Sequence, residues 1–309
     1  MKIREISPSD PVSVLALDGL MESCPILEDA EFYTRDGNAD SVKDAPVGET
    51  KVKISRGINE DNTATPPTKT YTTAPKKIIS FDAKVDVVYE DRNIDPATEL
   101  AQQTREQAWE DGHNLQTMFF AGDSGADAEN FDGMVNLVDA GWTIPTATNG
   151  IQVPVGGDSV AATQQTAIET LLQHMARVRS GAQIGYMNEF LKIRLLTVGK
   201  ALGYYRQTKD EFGNVVDRIG DTIIRGAGYQ RNGTPNLPFT ETQGSNTDCS
   251  SIYFVRWGER SRLTVLTSRG VVGRYPGQVG NFLINNVNFD IALVLQDKAS
   301  LVRSTGWRL

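Results

Sequence analysis

The sequence predicts an α+β fold, in which helices and strands occupy separate parts of the chain. Three observations lead to this prediction. Two runs of alternating apolar and polar residues, joined by a polar tract, lie within 51–89, helical patterns fill much of 95–202, and strand-like runs separated by turns follow Phe212. With 309 residues, the chain is long enough for one large domain or two ordinary ones with a sizeable core.

The composition narrows the class of protein. Apolar residues make up 39% and charged residues 23% of the chain, as in a soluble globular protein, and no apolar run is long enough to span a membrane. The N-terminus lacks the apolar core of a signal peptide, so we expect no export by that route. The net charge of −8 argues against a surface built to grip nucleic acid, because such surfaces neutralise phosphates with Lys and Arg.

The two cysteines, Cys24 and Cys249, have no metal-ligand spacing. We expect them to be separate buried thiols in a reducing compartment, and a disulfide between them is the alternative.

The first part of the chain is predicted to be extended. Residues 1–30 are interpreted as an arm with one short helical patch at 12–21. Alternation at 51–54 and 81–87 predicts two strands, joined by the polar tract 59–77, which is rich in Thr, Pro and Lys. Because an isolated two-stranded ribbon is marginally stable in water, we expect this hairpin to contact neighbouring subunits.

A long helix is predicted to begin after Asp95 and to run to about Phe120. Asp95 at the N-cap position supplies an acceptor for unpaired backbone N–H groups, and Pro96 fits the first helical position without strain. Apolar residues then recur along one stripe. Gly112 interrupts the helix and is interpreted as a bend, since glycine destabilises a helix interior.

Two more helices and a series of strands complete the pattern. Asp158 or Ser159 is predicted to cap the first helix and Asn188 the second, with Phe190 and Leu191 among the apolar residues on one side of it. A turn is predicted at 212–214. Further strands are expected at 222–224, 251–257, 263–266, 282–289 and 292–295.

No set of residues predicts catalysis. The tetrapeptide around Ser124, at 122–125, resembles the surroundings of a trypsin-like nucleophile, but His113 lies only 11 residues upstream and inside the predicted helix, which does not suit a triad. His113 and His174 are both expected to be surface or core residues of helices. A hydrolase site formed by Asp123 and Ser124 is therefore the weaker alternative.

Candidate binding motifs are also incomplete. Residues 36–40 have the alternating acidic start of an EF-hand loop, but Ser41 and Val47 occupy the positions of its Gly and Glu. Lys200 follows a glycine as in a phosphate-binding loop, without the other residues of that motif. We therefore predict no catalytic, cofactor-binding or metal-binding residue.

The order of several short motifs carries a family resemblance. They are Glu22-Ser23-Cys24-Pro25-Ile26-Leu27, the hairpin, the long helix, Phe119-Phe120-Ala121-Gly122-Asp123 and Phe131-Asp132-Gly133-Met134. In this order and spacing, the chain resembles the Hong Kong 97-like family, the major capsid proteins of tailed bacteriophages. The resemblance covers most of the chain and is strongest from Ser23 to Leu137.

The resemblance implies the Hong Kong 97-like capsid fold, with an N-terminal arm, an extended E-loop hairpin, a P-domain with a long spine helix, and an A-domain. In order, the implied segments are the arm at 1–30, the E-loop hairpin and its P-domain lead-in at 31–90, the spine helix and following loop at 91–136, the A-domain at 137–270, and C-terminal strands, partly in the P-domain, at 271–309.

The resemblance also implies a function. It implies a structural protein without enzymatic activity that self-assembles, through arm and E-loop contacts, into the icosahedral head that encloses a phage genome. The implied location is the virion, after assembly in the host cytoplasm. The implied partners are further copies in hexamers and pentamers, a separate scaffolding protein, a portal, a decoration protein as a further candidate, and DNA contacted non-specifically, with no membrane.

Some members of this family join neighbouring subunits by a Lys–Asn bond, and Lys69, Lys76 and Lys77 lie in the corresponding region. An encapsulin-like nanocompartment shell is the main alternative function. A tail or adhesin component is a further one, for which more strand and fewer long helices would be expected.

Overall fold

The computed structural model describes residues 1–34, 76–88, 95–154, 161–209, 215–259 and 262–309. The α-helices in these ranges are α1 (Ile3–Ile6), α2 (Pro11–Ser23), α3 (Ile26–Asp29), α4 (Pro96–Ala121), α5 (Met134–Leu137), α6 (Ala161–Arg177) and α7 (Glu189–Ala201), with 3-10 helices at Ala140–Trp142 and Lys298–Ser300. None of these helices combines the length and the apolar character needed to cross a bilayer.

The strands of the described ranges form two sheets. In chain order they are β1 (Phe32–Thr34), β2 (Lys77–Asp86), β3 (Thr143–Pro145), β4 (Ile151–Gln152), β5 (Ile184–Met187), β6 (Tyr205–Lys209), β7 (Val215–Ile219), β8 (Thr222–Gly226), β9 (Glu241–Gln243), β10 (Asn246–Val255), β11 (Leu263–Thr267), β12 (Val271–Val279), β13 (Phe282–Leu295) and β14 (Leu301–Arg308).

The small sheet is built around β13. This strand pairs antiparallel with β2, β11 and β12, and β1 adds in parallel to β11. Along β2, alternate residues such as Phe81, Ala83 and Val85 are buried, while the residues between them are exposed. The buried face packs on α2 and α4, which are themselves in close contact. One face of the sheet is therefore covered by helices, and the other is open at β2 and at Arg274 of β12, while β11 is buried on both faces.

The large sheet has the order β3-β14-β10-β5-β8-β7-β6, with β4 beside β14 and β9 beside β10. Side chains point alternately to the two faces of a strand, and along β10 both faces are buried. Ile252 and Phe254 join the core under α6 and α7, whereas Tyr253 and Val255 join the core shared with α2, α4 and the small sheet. The ring of Phe120, near the end of α4, lies 6.2 Å from that of Tyr253. The core that contains Phe120, Tyr253 and Val255 thus connects the two sheets.

The long helix is confirmed. Asp95 caps α4, and its carboxylate accepts a hydrogen bond from the backbone N–H of Ala97 at 3.2 Å. Gly112 does not interrupt the helix, which runs continuously from Pro96 to Ala121. A Cβ at Gly112 would lie only 1.9 Å from Ser23 Oγ, so the glycine instead allows α2 to approach α4 closely.

The helical patch predicted at 12–21 is confirmed as α2, but the prediction that the rest of residues 1–30 is extended is wrong. They fold into α1, α2 and α3, and Leu17, Leu20, Ile26 and Leu27 are buried in the core. The reason is tertiary: short helices with few apolar residues become stable when those residues fill a cleft beside a longer helix. This segment is an integral part of the fold.

The predicted hairpin can be assessed in its second strand only, because 51–54 and most of the polar tract lie outside the described residues. The strand expected at 81–87 is β2, and all ten of its residues pair with β13 of the same chain. It is therefore part of the small sheet and not of a free two-stranded ribbon. Long-range pairing of this kind leaves no mark in the local sequence pattern.

The later elements that were predicted are present, with one change, and β5, β12 and β14 are strands that were not among them. Asn188 caps α7, and its side chain accepts a hydrogen bond from the Phe190 N–H at 2.9 Å. The strands expected at 282–289 and 292–295 are one continuous strand, β13. The last strand, β14, belongs to the large sheet. The caps predicted at Asp158 or Ser159 and the turn at 212–214 lie outside the described residues, and the domain boundaries stay a prediction.

Candidate subunit interfaces

The outer side of α7 exposes large apolar side chains. Leu191, Leu195 and Val198 face the core, whereas Phe190 is 55% and Ile193 is 60% exposed. These two residues are three positions apart and therefore lie on the same face of the helix. Phe190 was expected on the same side as Leu191, but adjacent helix positions point about 100° apart. We call Phe190 and Ile193 the α7 patch.

The hairpin of β6 and β7 extends this exposed surface. Val215 is 62% exposed, and Tyr204, just before β6, is 45% exposed. The hairpin contacts α7 near Gly199, where a Cβ would be 3.5 Å from the side chain of Ile219. Strand β6 is at the edge of the large sheet, and in the described part of the chain it pairs with β7 alone. An open strand edge beside apolar groups is a surface suited to another polypeptide.

A second apolar cluster lies at the end of the small sheet. Val279 and Phe282 are ladder partners across a two-residue turn and are 53% and 45% exposed. Gly280 has a φ of +64° in this turn, as a type II′ hairpin requires at its first central position. Val88, 51% exposed, is next to this cluster, because the Val87 N–H donates to the Asn281 carbonyl at 2.9 Å.

A third surface is the outer side of α4. Trp109 is 40% exposed and lines a groove of about 430 Å³ together with Gln102 and Glu106. The groove is closed on the α2 side by an ion pair of 2.9 Å between Arg105 and Glu22. Apolar groups of this size, gathered on three separate surfaces, are typical of contacts with other proteins. No sequence pattern distinguishes them from core positions.

The residues considered for catalysis do not form a site. Ser124 lies in the loop after α4, where its backbone N–H donates to Asp132. The His113 ring has other contacts. Its Nδ1 lies 3.0 Å from the Tyr229 carbonyl oxygen, and the ring is edge-on to that of Trp109. The Asp123 carboxylate accepts hydrogen bonds from the loop N–H groups of residues 125 and 126. Each group is held by structural contacts.

His174 has a partner that the sequence did not indicate. Its Nδ1 lies 2.7 Å from Ser304 Oγ, and Trp307 Nε1 donates to the same oxygen at 2.7 Å. Burial, followed by the charge of Arg177, lowers the pKa of His174. Ser304 is fully buried. The pair is a core hydrogen bond, out of reach of any substrate.

The remaining candidate residues have structural surroundings. Cys24 and Cys249 are buried free thiols, and burial raises the pKa of both. Lys200 is exposed on α7. In the described ranges, no group of three or more His, Cys, Asp or Glu side chains is placed to hold a metal ion. The EF-hand-like residues 36–40 lie outside those ranges.

Two of the three candidate cross-linking lysines are described. Lys76 Nζ forms an ion pair of 3.2 Å with Asp290, and Lys77 Nζ donates to the Ala128 carbonyl at 2.5 Å. Both amines are thus engaged within the chain. Lys69 lies outside the described residues.

No family model matches the sequence. No curated protein sequence matches it either.

Solved structures with the same fold exist. The SrpI encapsulin of Synechococcus elongatus PCC 7942 has a TM-score of 0.62 and 11% identity, over 92% of this chain and 87% of that one. The capsid of cyanophage P-SCSP1u has a TM-score of 0.54 and 10% identity, over 89% and 85% of the two chains. The capsid of the native GTA particle has a TM-score of 0.53 and 14% identity, over 94% and 90%.

At these identities the likeness concerns the fold, and it extends over nearly the whole of each chain. All three structures are shells. The chain therefore has the Hong Kong 97-like shell fold.

Proposed function

We propose that this chain is the structural major capsid protein of a tailed bacteriophage, which self-assembles into the icosahedral head around the genome. The observation that carries this proposal is the fold, which matches capsid subunits over 85% or more of both chains. Fold alone does not specify function, and the surfaces of the molecule must support it.

The exposed apolar groups supply that support. The α7 patch, the end of the small sheet and the Trp109 groove lie on different elements. A closed shell needs each subunit to offer several complementary surfaces to different neighbours. Exposed apolar side chains on several elements are groups that such contacts would bury.

The proposed role is structural and not enzymatic. Ser124 and His113 are held by separate contacts, and the Ser304–His174 pair is buried. Hexamers and pentamers of the chain, a separate scaffolding protein, a portal and a decoration protein belong to this proposal, as do the virion location and assembly in the host cytoplasm. The net charge of −8 suits a shell that contacts packaged DNA only non-specifically.

An encapsulin-like nanocompartment is the second candidate, because the SrpI encapsulin has the highest TM-score of the three structures, 0.62. The long Thr- and Pro-rich tract at 59–77 favours the phage head, since a reaching arm serves contacts between many copies. Both candidates predict a closed shell, and they differ in its contents.

Electron microscopy of the purified protein, concentrated alone and after coexpression with its scaffold, tests the shell. Closed particles of uniform size support the proposal, and small discrete oligomers under both conditions contradict it. Nuclease-treated particles from the producing cells then separate the two candidates. Protected DNA of genome length indicates a phage head, whereas a stoichiometric cargo protein without such DNA indicates a nanocompartment.

A further inference from the structure

We propose that a contact between copies of this chain joins the loop 122–132 of one copy to Arg269 and Arg274 of another. We call the loop the acidic loop and the surface around the two arginines the arginine face. This inference rests on the proposed shell function and specifies one of its contacts.

The arginine face lies on the open side of the small sheet. Arg269 and Arg274 line a cleft of about 310 Å³, with Asn288 beside them and Ile78, 73% exposed, at its rim. Neither guanidinium has a hydrogen-bond or ion-pair partner among the described residues. Among the described residues, Asp290 supplies the one carboxylate that lines the cleft, and it is already paired with Lys76 at 3.2 Å. Two unpaired guanidinium groups around a cleft suit carboxylates, which they bind in a bidentate manner.

The acidic loop offers carboxylates in the complementary arrangement. Asp123, Asp127, Glu129 and Asp132 lie within it, and none of them forms an ion pair in the described part of the chain. The three aspartates accept hydrogen bonds from backbone N–H groups of the loop, which hold it in one conformation. Glu129 is exposed, and its carboxylate has no partner among the described residues. A rigid loop loses little conformational entropy when it docks.

The acidic loop and the arginine face both lie beside the start of β2. Lys77, at the start of β2, donates to the Ala128 carbonyl of the acidic loop at 2.5 Å. Its neighbour Lys76 donates to Ser268, the residue before Arg269, also at 2.5 Å. Surfaces of opposite charge therefore lie side by side, and such an arrangement is complementary to a second copy of itself.

The net charge of the chain explains why copies would need a contact of this kind. At −8, two copies repel one another at long range, so a local region of opposite charge is needed to bring them together in one orientation. Charged contacts of this kind contribute mostly to specificity and association rate, and they weaken with salt. The arginine face is the exposed cationic region that can meet the acidic loop in this way.

A charge-swap experiment tests the proposal. The variant R269E/R274E and the variant D127K/E129K each change the net charge by four, in opposite directions, and the combined variant returns it to −8. We expect each of the two separate variants to reduce the assembled fraction at least tenfold at physiological salt, as measured by sedimentation velocity. The combined variant should restore assembly to within about threefold of wild type.

The control is R177E, which reverses an exposed cation of α6 that has no hydrogen-bond or ion-pair partner among the described residues, and it should assemble as wild type does. Circular dichroism of unassembled subunits checks each fold. If D127K/E129K loses its fold, E129Q replaces it, because the Glu129 carboxylate supports no loop contact.

Normal assembly of both separate variants, or failure of the folded combined variant to assemble, overturns the contact and leaves the proposed shell function unaffected. Absence of shells from the wild type overturns the proposed function and this contact together.

Discussion

The buried Asp29 forms an ion pair with Arg225, with Asp29 Oδ1 3.1 Å from Arg225 Nη2. Asp29 ends α3 in the N-terminal segment, and Arg225 lies on β8 of the large sheet. The Tyr186 hydroxyl of β5 donates to the other carboxylate oxygen at 3.0 Å. Burial raises the pKa of Asp29, against the opposing effects of Arg225 and Tyr186. The N-terminal segment is thus fastened to the large sheet by a polar network inside the core.

Breaking this pair should destabilise the subunit strongly. In Asp29→Asn the Arg225 guanidinium, 25% exposed, loses its nearest carboxylate and keeps only Glu28, at 3.9 Å. We therefore expect a loss of about 1–3 kcal/mol in the free energy of unfolding. Chemical denaturation of unassembled subunits measures it. The matched control is Asp248→Asn, which removes an ion pair to Arg308 at an aspartate that is 57% exposed and should cost about 1 kcal/mol or less. Equal effects of the two substitutions would contradict a structural role for the Asp29 network.

The close crossing of α2 and α4 predicts that Gly112→Ala is destabilising. In an exposed helix position, this change would stabilise by about 1 kcal/mol. Here the new Cβ would lie 1.9 Å from Ser23 Oγ and 2.9 Å from the Leu20 carbonyl oxygen, so the helices must separate. We expect a net loss of about 1–3 kcal/mol in thermal or chemical unfolding. Asn114→Ala, on the exposed side of the same helix, is the control, and stabilisation by both substitutions would show that the helices do not meet there.

The burial of His174 predicts a specific pH dependence. Its pKa is lowered in the folded chain, so below about pH 6.5 the unfolded chain binds more protons than the folded one. The free energy of unfolding should therefore decrease as the pH falls from 7 to 5, by at most about 1.4 kcal/mol per pH unit. His174→Asn should lose this part of the slope. Since His113 is present in both proteins, parallel curves for the wild type and the variant would refute the assignment.

The α7 patch predicts a separation of folding from assembly. Phe190→Ser with Ile193→Ser removes only exposed side chains, so the free energy of unfolding should change by less than about 1 kcal/mol. Assembly into shells, counted by electron microscopy at equal protein concentration, should fall at least tenfold, because apolar contact residues supply most of the affinity of an interface. The control, Gln173→Ser with Ala176→Ser on the exposed side of α6, should assemble normally. Wild-type assembly of the α7 variant would remove this patch from the interfaces.

Local signals in the sequence predicted the helices well. Asp95 and Pro96 indicate the start of α4, and Asn188 indicates the start of α7, because capping depends on residues next to each other in the chain. Of the N-terminal helices, α2 was predicted at 12–21, whereas α1 and α3 were missed because four residues are too few to show a helical period. The contact of Ser304 with His174 spans 130 residues, and no local pattern encodes it.

The contact surfaces were not predictable for a related reason. Phe190 and Leu191 are equally apolar in the sequence, yet one is exposed and the other is buried. Which of them faces the core depends on where the large sheet lies, and that is set by pairings between distant strands. An exposed apolar residue becomes informative only after the fold has shown that nothing in the described part of the chain covers it.

The most direct test of the account is a cryo-electron microscopy reconstruction of particles formed by the purified chain. We predict a closed icosahedral shell in which Phe190, Ile193, Val279 and Phe282 are buried against neighbouring copies. A protein that stays monomeric at every concentration, with and without its scaffold, and leaves these side chains in solvent would contradict the account.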